Sequence, residues 1–383
     1  MHTNSENIYL LFSADYELYF GENWFSEREV LIEPTEQILR SFSQRGIPLT
    51  IFADVASVWR YRSLEITSDY TSLFENQLRE AIRCRHDVQL HLHPHWITST
   101  FDGMKWNMDE SKFKLSDLGY NSKEGFESAD QLILRGKKYL EELLQSVDPS
   151  YRCLAFRAGG FALQPNEKEL LRSLLSAGFK IDSSIAPGMF FKSNVNEIDY
   201  RKVPSRLNYR IGPRYGIERE DTFGIFEIPI CTHLRSFRET VWEGLRIFRA
   251  LTLRLKGKSL GQLNSYPKRG KAIQSYTHLG RFAWFFRAPA LFLLELSGPY
   301  LDPKRVVKEA RRIIESHIGE AKDLYFCALM HPKNVFPSTI QAIVEFWETL
   351  RREYCKKIKA ITFQEAAKLI ERNNSDHSEN LSV

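Results

Sequence analysis

The 383-residue chain has 43% hydrophobic residues, enough for a substantial buried core, and α/β folds of about 250 residues commonly form one unit. Its formal charge of +5 is modest, but twelve basic residues between Arg235 and Arg287 face only Glu239 and Glu243, so that segment holds +10 and the remainder −5. Cys84, Cys153, Cys231, Cys327 and Cys355 are odd in number and form no C-x-x-C pair, which excludes a disulfide framework and suits a reducing compartment. No run reaches the roughly 18 apolar residues of a spanning helix. The residues ahead of Ile8 lack the basic and apolar regions of a signal peptide, so the expected location is cytoplasmic.

Strand-like and helix-like segments alternate from the start. Ile8–Phe12 reads as a buried strand and Glu33–Gln44 as a helix stopped by Gly46. Leu49–Phe52 is a second strand, Leu73–Ile82 a helix, and Val88–Leu92 a third strand. After a polar stretch from Thr98 to Glu124, expected to be a long loop, come a helix at Ala129–Leu144 and a strand at Leu154–Phe156. Lys168–Leu175 is helical, Lys180–Ile181 extended, Phe226–Ile230 a sixth strand and Tyr325–Met330 a seventh, followed by a helix at Ile340–Tyr354. This rhythm predicts an α/β fold of about seven parallel strands with helices outside, either a barrel or an open doubly wound sheet, interrupted by a helical basic insertion. The placement of polar residues at strand ends favours the barrel. The expected division is a barrel over 1–232 and 298–372, the insertion over 233–297, and a disordered tail over 373–383.

The residues capable of chemistry follow the strands, where such folds collect their active sites. Asp15 and Glu17 end the first strand, and period-two geometry puts them on one side, about 7 Å apart. His91, His93 and His95 alternate after the third strand, a density of imidazole that a metal explains better than a core does. A carboxylate with two imidazoles is the usual ligand set of a catalytic metal that keeps a position for water. Arg157 follows the fourth strand, Asp182 the fifth and His331 the seventh. His86, beside Asp87, reads as a structural histidine. Asn23 and Trp24 lie where they could line a sugar site.

The order D-x-E, R-H-D-V-Q-L-H-L-H-P-H, F-R-A-G-G-F, D-S-S and L-M-H resembles the NodB-homology polysaccharide deacetylases, carbohydrate esterase family 4. It is most similar to the branch that holds peptidoglycan deacetylase-like, allantoinase-like and lipopolysaccharide-biosynthesis proteins. The resemblance covers about residues 8 to 232 and 300 to 370 and implies a NodB-like fold, a distorted (β/α) barrel of about seven parallel strands. It implies Asp15 as catalytic base, Arg157 as the arginine that orients it, Asp182 as an acid tuning the active-site histidine, and His331 as general acid. It also implies a divalent metal such as Zn on Glu17, His91 and His95, with His93 as an extra group for substrate. The implied reaction is N-deacetylation of a bacterial surface glycan or its lipid-linked precursor.

Departures keep alternatives open. Tyr16 separates the two acids, Leu92 follows the first histidine, and Gly159-Gly160 stands where the third motif usually has proline. Metal-independent amide hydrolysis of the allantoinase-like kind is one alternative, and a catalytically inactive glycan- or partner-binding barrel is another. Basic residues interleaved with large apolar ones over 235–287 suit peripheral contact with an anionic membrane, whereas no nucleic-acid module is present.

Overall fold

The structure, a computed structural model, describes residues 7–120, 127–245, 269–272, 290–298, 301–321 and 323–379. Its centre is a curled nine-stranded sheet. The strands are β1 (Asn7–Tyr16), β2 (Thr50–Asp54), β3 (Asp87–Leu92), β4 (Ala155–Ala158), β5 (Ile181–Asp182), β6 (Tyr209–Ile211), β7 (Ile225–Glu227), β8 (Asp323–Met330) and β9 (Ile358–Ala360). In space they run β6-β7-β5-β4-β3-β2-β1-β8, with β9 pairing the first half of β1 on the side where β2 pairs its second half. All are parallel except β6, which lies antiparallel to β7.

Both faces of the sheet are covered, which is why its strands read as unbroken apolar runs. Even positions of β1 (Ile8, Leu10, Phe12, Ala14, Tyr16) join the large cluster under the outer helices. Those helices include α1 (Glu33–Ser43), α2 (Val55–Ser63), α3 (Tyr70–Arg83), α4 (Ala129–Gln145), α5 (Glu167–Ser176), α6 (Pro303–His317) and α7 (Pro337–Tyr354). Odd positions (Tyr9, Leu11) enter a smaller inner cluster with Phe52, Ala155, Ile181, Ile228, Ile230, Cys327 and Leu329. The last helix, α8 (Phe363–Glu379), plugs this inner core from below with Phe363, Ala366, Ala367 and Ile370. Continuing the same alternation upward brings Ser13, Asp15 and Glu17 into the mouth of the curl.

The sheet is a half-barrel and does not close by a ladder of strands. Among the described residues, the flank between β7 and β8 is joined by isolated bridges, Ile230 to Cys327 and, from the returning arm, Glu295 to Leu329. The expected seven-stranded barrel is therefore corrected in two ways: β9 adds an eighth parallel strand, and one flank stays unladdered. At that flank a short ribbon, Thr232–Leu234 with Leu291–Leu293, brings together the two ends of the basic segment. Within it 237–245 is helical and Gly270–Ala272 pairs with Gly21–Asn23 after β1; most of the remainder lies outside the described residues. The tail expected to be disordered from 373 continues α8 as far as Glu379. Asn373 donates to Asp323 at 2.8 Å, so a helix nucleated on the inner core is propagated into polar sequence. The polar stretch after Thr98 is not a bare loop, since Trp106 packs tilted on Tyr61 and edge-on to Trp96.

Polar groups below the site are satisfied internally. His86 fills the structural role read from the sequence, accepting from the Leu49 backbone N–H at 3.2 Å and contacting Ser43 at 2.9 Å. Gln89, fully buried, accepts from the backbone N–H groups of Leu154 and Ala155 at 2.8 and 2.7 Å and donates to Asp87 at 2.9 Å. Gln89→Leu keeps the volume but orphans those two donors, at roughly 1–3 kcal/mol each. Thermal unfolding should show a clear loss of stability; an unchanged melting temperature would mean that water replaces the amide.

Candidate active site

Sheet register assembles the site. Ala14 pairs with Met330, which sets Asp15 beside His331; Asp54 pairs with His91, and His91 with Arg157. Arg157 is wholly buried and gives Nη1 to Asp15 Oδ1 at 2.7 Å and to Ser13 at 3.0 Å. Its Nε donates to the Ser183 carbonyl at 2.8 Å, its Nη2 to the Ser183 hydroxyl at 2.9 Å, and its plane lies 4.1 Å over the Phe52 ring. The remaining Asp15 oxygen, Oδ2, faces His331 Nε2 at 3.8 Å. Burial pushes the Asp15 carboxyl up, but Arg157, then His91 and His331, hold it below its ordinary value. Asp15 is therefore ionised with one oxygen clamped and the other turned to the histidine.

Glu17 is the second centre. Its Oε1 accepts from Lys333 Nζ at 2.7 Å, and its Oε2 meets both His91 Nε2, at 3.0 Å, and His93 Nε2. Burial alone would raise this carboxyl; Lys333, His93 and His91 instead hold it well below the usual carboxylate range. Glu17, His91 and His93 each offer a ligand atom, all within 4.8 Å of one another. His91 is fixed for that role, because its Nδ1 meets the Arg157 carbonyl at 2.9 Å and leaves Nε2 toward Glu17. The donor set thus fits a divalent transition metal, with one carboxylate oxygen already paired to Lys333.

The structure brings together most of the sequence-predicted residues but redistributes their roles. His95 is not in the ligand group. Strand β3 ends at Leu92 and a 3-10 turn begins at Pro94, so the alternation that carries His91 and His93 inward breaks before His95. His95 instead stacks on Phe113, with centroids 5.7 Å apart, and burial holds it well below its ordinary pKa, a neutral ring behind His93. Asp182 does not touch His331. It accepts from the Ser184 hydroxyl and backbone N–H at 2.8 and 3.0 Å and lies in register with Glu227 of β7; burial pushes both carboxyls up. The acid on His331 is Glu295, whose Oε1 lies 3.0 Å from Nδ1. Asn23 spends its amide on the Tyr19 backbone, at 3.1 and 3.0 Å, while the exposed Trp24 donates to Glu22 at 3.1 Å.

Three residues were missed. Lys333 stands two positions after His331, the same period-two signal that joins Asp15 to Glu17. Asp54 is the last residue of β2, at a strand end like the other functional residues, and accepts from the His93 backbone N–H at 3.1 Å. Glu295 returns from the insertion and carries no comparable signal.

No protein-family profile and no curated protein matches the sequence. Solved structures overlap it loosely. A Mycobacterium smegmatis protein assigned as a polysaccharide deacetylase aligns at 12% identity with a TM-score of 0.44, covering 97% of this chain and 92% of that one. PuuE allantoinase aligns at 11% and 0.43, covering 96% and 90%. A GH57-type branching enzyme from Pyrococcus horikoshii aligns at 11% and 0.42, covering 93% and 69%. A deacetylase, an allantoinase and a branching enzyme share this level of likeness, so it selects no chemistry; the side chains must do so.

His331 is partly buried, which lowers its pKa, but its bond to Glu295, with help from Asp15 and Glu17, raises it above the ordinary value. The imidazolium form therefore persists to higher pH than in a free histidine. Glu295→Gln removes the largest raising partner, so the His331 titration, followed by ring-proton NMR, should move to lower pH. A midpoint that stays in place would show that Glu295 does not govern this ring.

Proposed function

We propose that the chain is an amide hydrolase that removes the acetyl group from an N-acetylated amino sugar of a surface glycan or its lipid-linked precursor. The observation that carries the reading is the Asp15 carboxylate, clamped by Arg157 on one oxygen and facing His331 across 3.8 Å on the other. This sets an ionised base beside a cationic acid, the two groups that hydrolysis of an amide C–N bond needs. Glycosidic chemistry instead needs two carboxyl groups free to act as acid and nucleophile or base. Here both Glu17 oxygens are bonded, one to Lys333 and the other to two imidazoles, so Glu17 is not free to serve as a second acting carboxyl beside Asp15.

In the proposed reaction Asp15 Oδ2 takes a proton from the attacking water as the new C–O bond forms at the amide carbonyl. His331 then gives its Nε2 proton to the departing nitrogen as the C–N bond breaks, releasing acetate and a free amine. Glu295 on Nδ1 keeps that imidazole oriented and protonated. Glu17, His91 and His93 would hold the metal, which when bound supplies Lewis-acid polarisation and a more acidic water.

Lys333 favours a second reading, metal-independent amide hydrolysis. Asp15 with Arg157, Glu17 with Lys333 and Glu295 with His331 already form three opposite-charge pairs, so a divalent cation would enter a balanced site.

Acetate release should be assayed on N-acetylated amino sugars and their oligomers. Asp15→Asn should lower turnover about 10²–10⁴-fold with the fold intact, and the reading fails if no N-acetylated substrate across a broad panel yields acetate. Lys333→Met should bind Zn²⁺ at least about tenfold more tightly than wild type by calorimetry, since a cation beside the ligand carboxylate is removed. Equal or weaker binding would show that Lys333 orients Glu17 and does not compete for it.

A further inference from the structure

Helix 237–245 is built the wrong way round for a helix resting on a protein core. Its acidic side faces inward. Glu239 pairs with Arg312, and Glu243 Oε1 lies 2.8 Å from Arg305 Nη2, both arginines on α6. Just before the helix, Arg235 Nε reaches Glu309 of α6 at 3.5 Å, completing a polar seam. The opposite side is apolar and open to solvent: Phe237 is 84% exposed, Val241 44% and Leu245 55%, at spacings of four that set them on one stripe. Trp242 at 71% and Leu234 at 65% widen it. A surface helix ordinarily buries its apolar stripe and wets its charged one. A contiguous apolar patch of this kind marks an interaction face.

We propose that this stripe is a docking face for an anionic phospholipid surface. Charge decides the occupant. The only two acids in 235–287 are Glu239 and Glu243, and both are taken up by arginines of α6. By sequence the segment therefore keeps a net charge of +10, and Arg238 is exposed on the same helix. Large apolar side chains with a tryptophan beside them, in a strongly basic segment, fit the boundary between headgroups and acyl chains. The same segment reaches the mouth of the active site. Gly270–Ala272 pairs with Gly21–Asn23, Arg269 donates to the Lys333 and Val335 carbonyls at 3.2 and 3.0 Å, and its backbone carbonyl accepts from Trp24 at 3.0 Å. A Cβ at Gly270 would lie 2.4 Å from the Glu22 carbonyl oxygen and 2.5 Å from the Tyr19 ring, so the strand fits over the mouth only as glycine. One segment thus offers an apolar face to lipid and a strand to the site entrance. The inference rests on the geometry of this helix and stands whether or not the site hydrolyses amides.

The full chain should be mixed with sucrose-loaded vesicles of phosphatidylcholine alone and of phosphatidylcholine with phosphatidylglycerol, and sedimented. Co-sedimentation is expected with the anionic vesicles only, weakening at roughly 0.5 M salt. The triple variant Phe237→Ser, Val241→Ser, Leu245→Ser changes only exposed side chains, and its circular dichroism should match the wild type. Its vesicle affinity should fall about tenfold or more. No binding to anionic vesicles overturns the proposal, as does equal binding by the triple variant. Self-association of the wild type, lost in the triple variant without lipid binding, would also overturn it and assign the stripe to a second copy of this chain.

Discussion

A guanidinium sealed inside a half-barrel is the constraint on which the rest of the site depends. Arg157 has no access to water, so every polar edge it presents must be met by the protein. It is met from three parts of the sheet: Ser13 and Asp15 on β1, Ser183 after β5, and the face of Phe52 on β2. Leaving any of these places empty would strand a buried charge. The arginine therefore fixes the strands against one another and holds Asp15 in one orientation. The carbonyl of the same residue meets His91 Nδ1, so its backbone also sets the ring that faces Glu17.

The charges around it are arranged in pairs. Three carboxylates each have a cation of their own, and all six groups lie above an inner core of apolar side chains. In such a setting a proton moved from one group to another is felt by all of them. Burial alone would neutralise Asp15 and Glu17 and discharge His331; the pairing reverses each tendency. What looks from the sequence like a collection of acids and histidines behaves as one electrostatic unit.

Much of this was legible in the chain because parallel strands make it so. Two-sided burial writes each strand as an apolar run, and the residue just beyond the run faces the mouth; this found Asp15, Glu17, His91, Arg157 and His331. Local geometry at strand ends was not legible. Three alternating histidines suggest three inward rings, yet Pro94 turns the chain after the second, so His95 packs behind His93. Partners supplied from far away in sequence were also hidden. Glu295 arrives through the flank of the sheet, and nothing in its neighbourhood announces that it will orient His331. Asp182 occupies the expected place after its strand, but the turn of Ser183 and Ser184 folds its carboxyl back onto its own backbone. Lys333 and Asp54 obeyed the strand-end rule and could have been found by applying it without exception.

The unladdered flank between β7 and β8 has a consequence for how such a fold can vary. The chain leaves the sheet there at Thr232 and returns at Leu291, held by a three-residue ribbon. A change of length just beyond that ribbon leaves the parallel ladders of the main sheet uncut. The fold therefore carries a place there where sequence can accumulate at little cost to register. Because the returning arm brings Glu295 to His331, material added at that place arrives at the reacting groups without passing through the core.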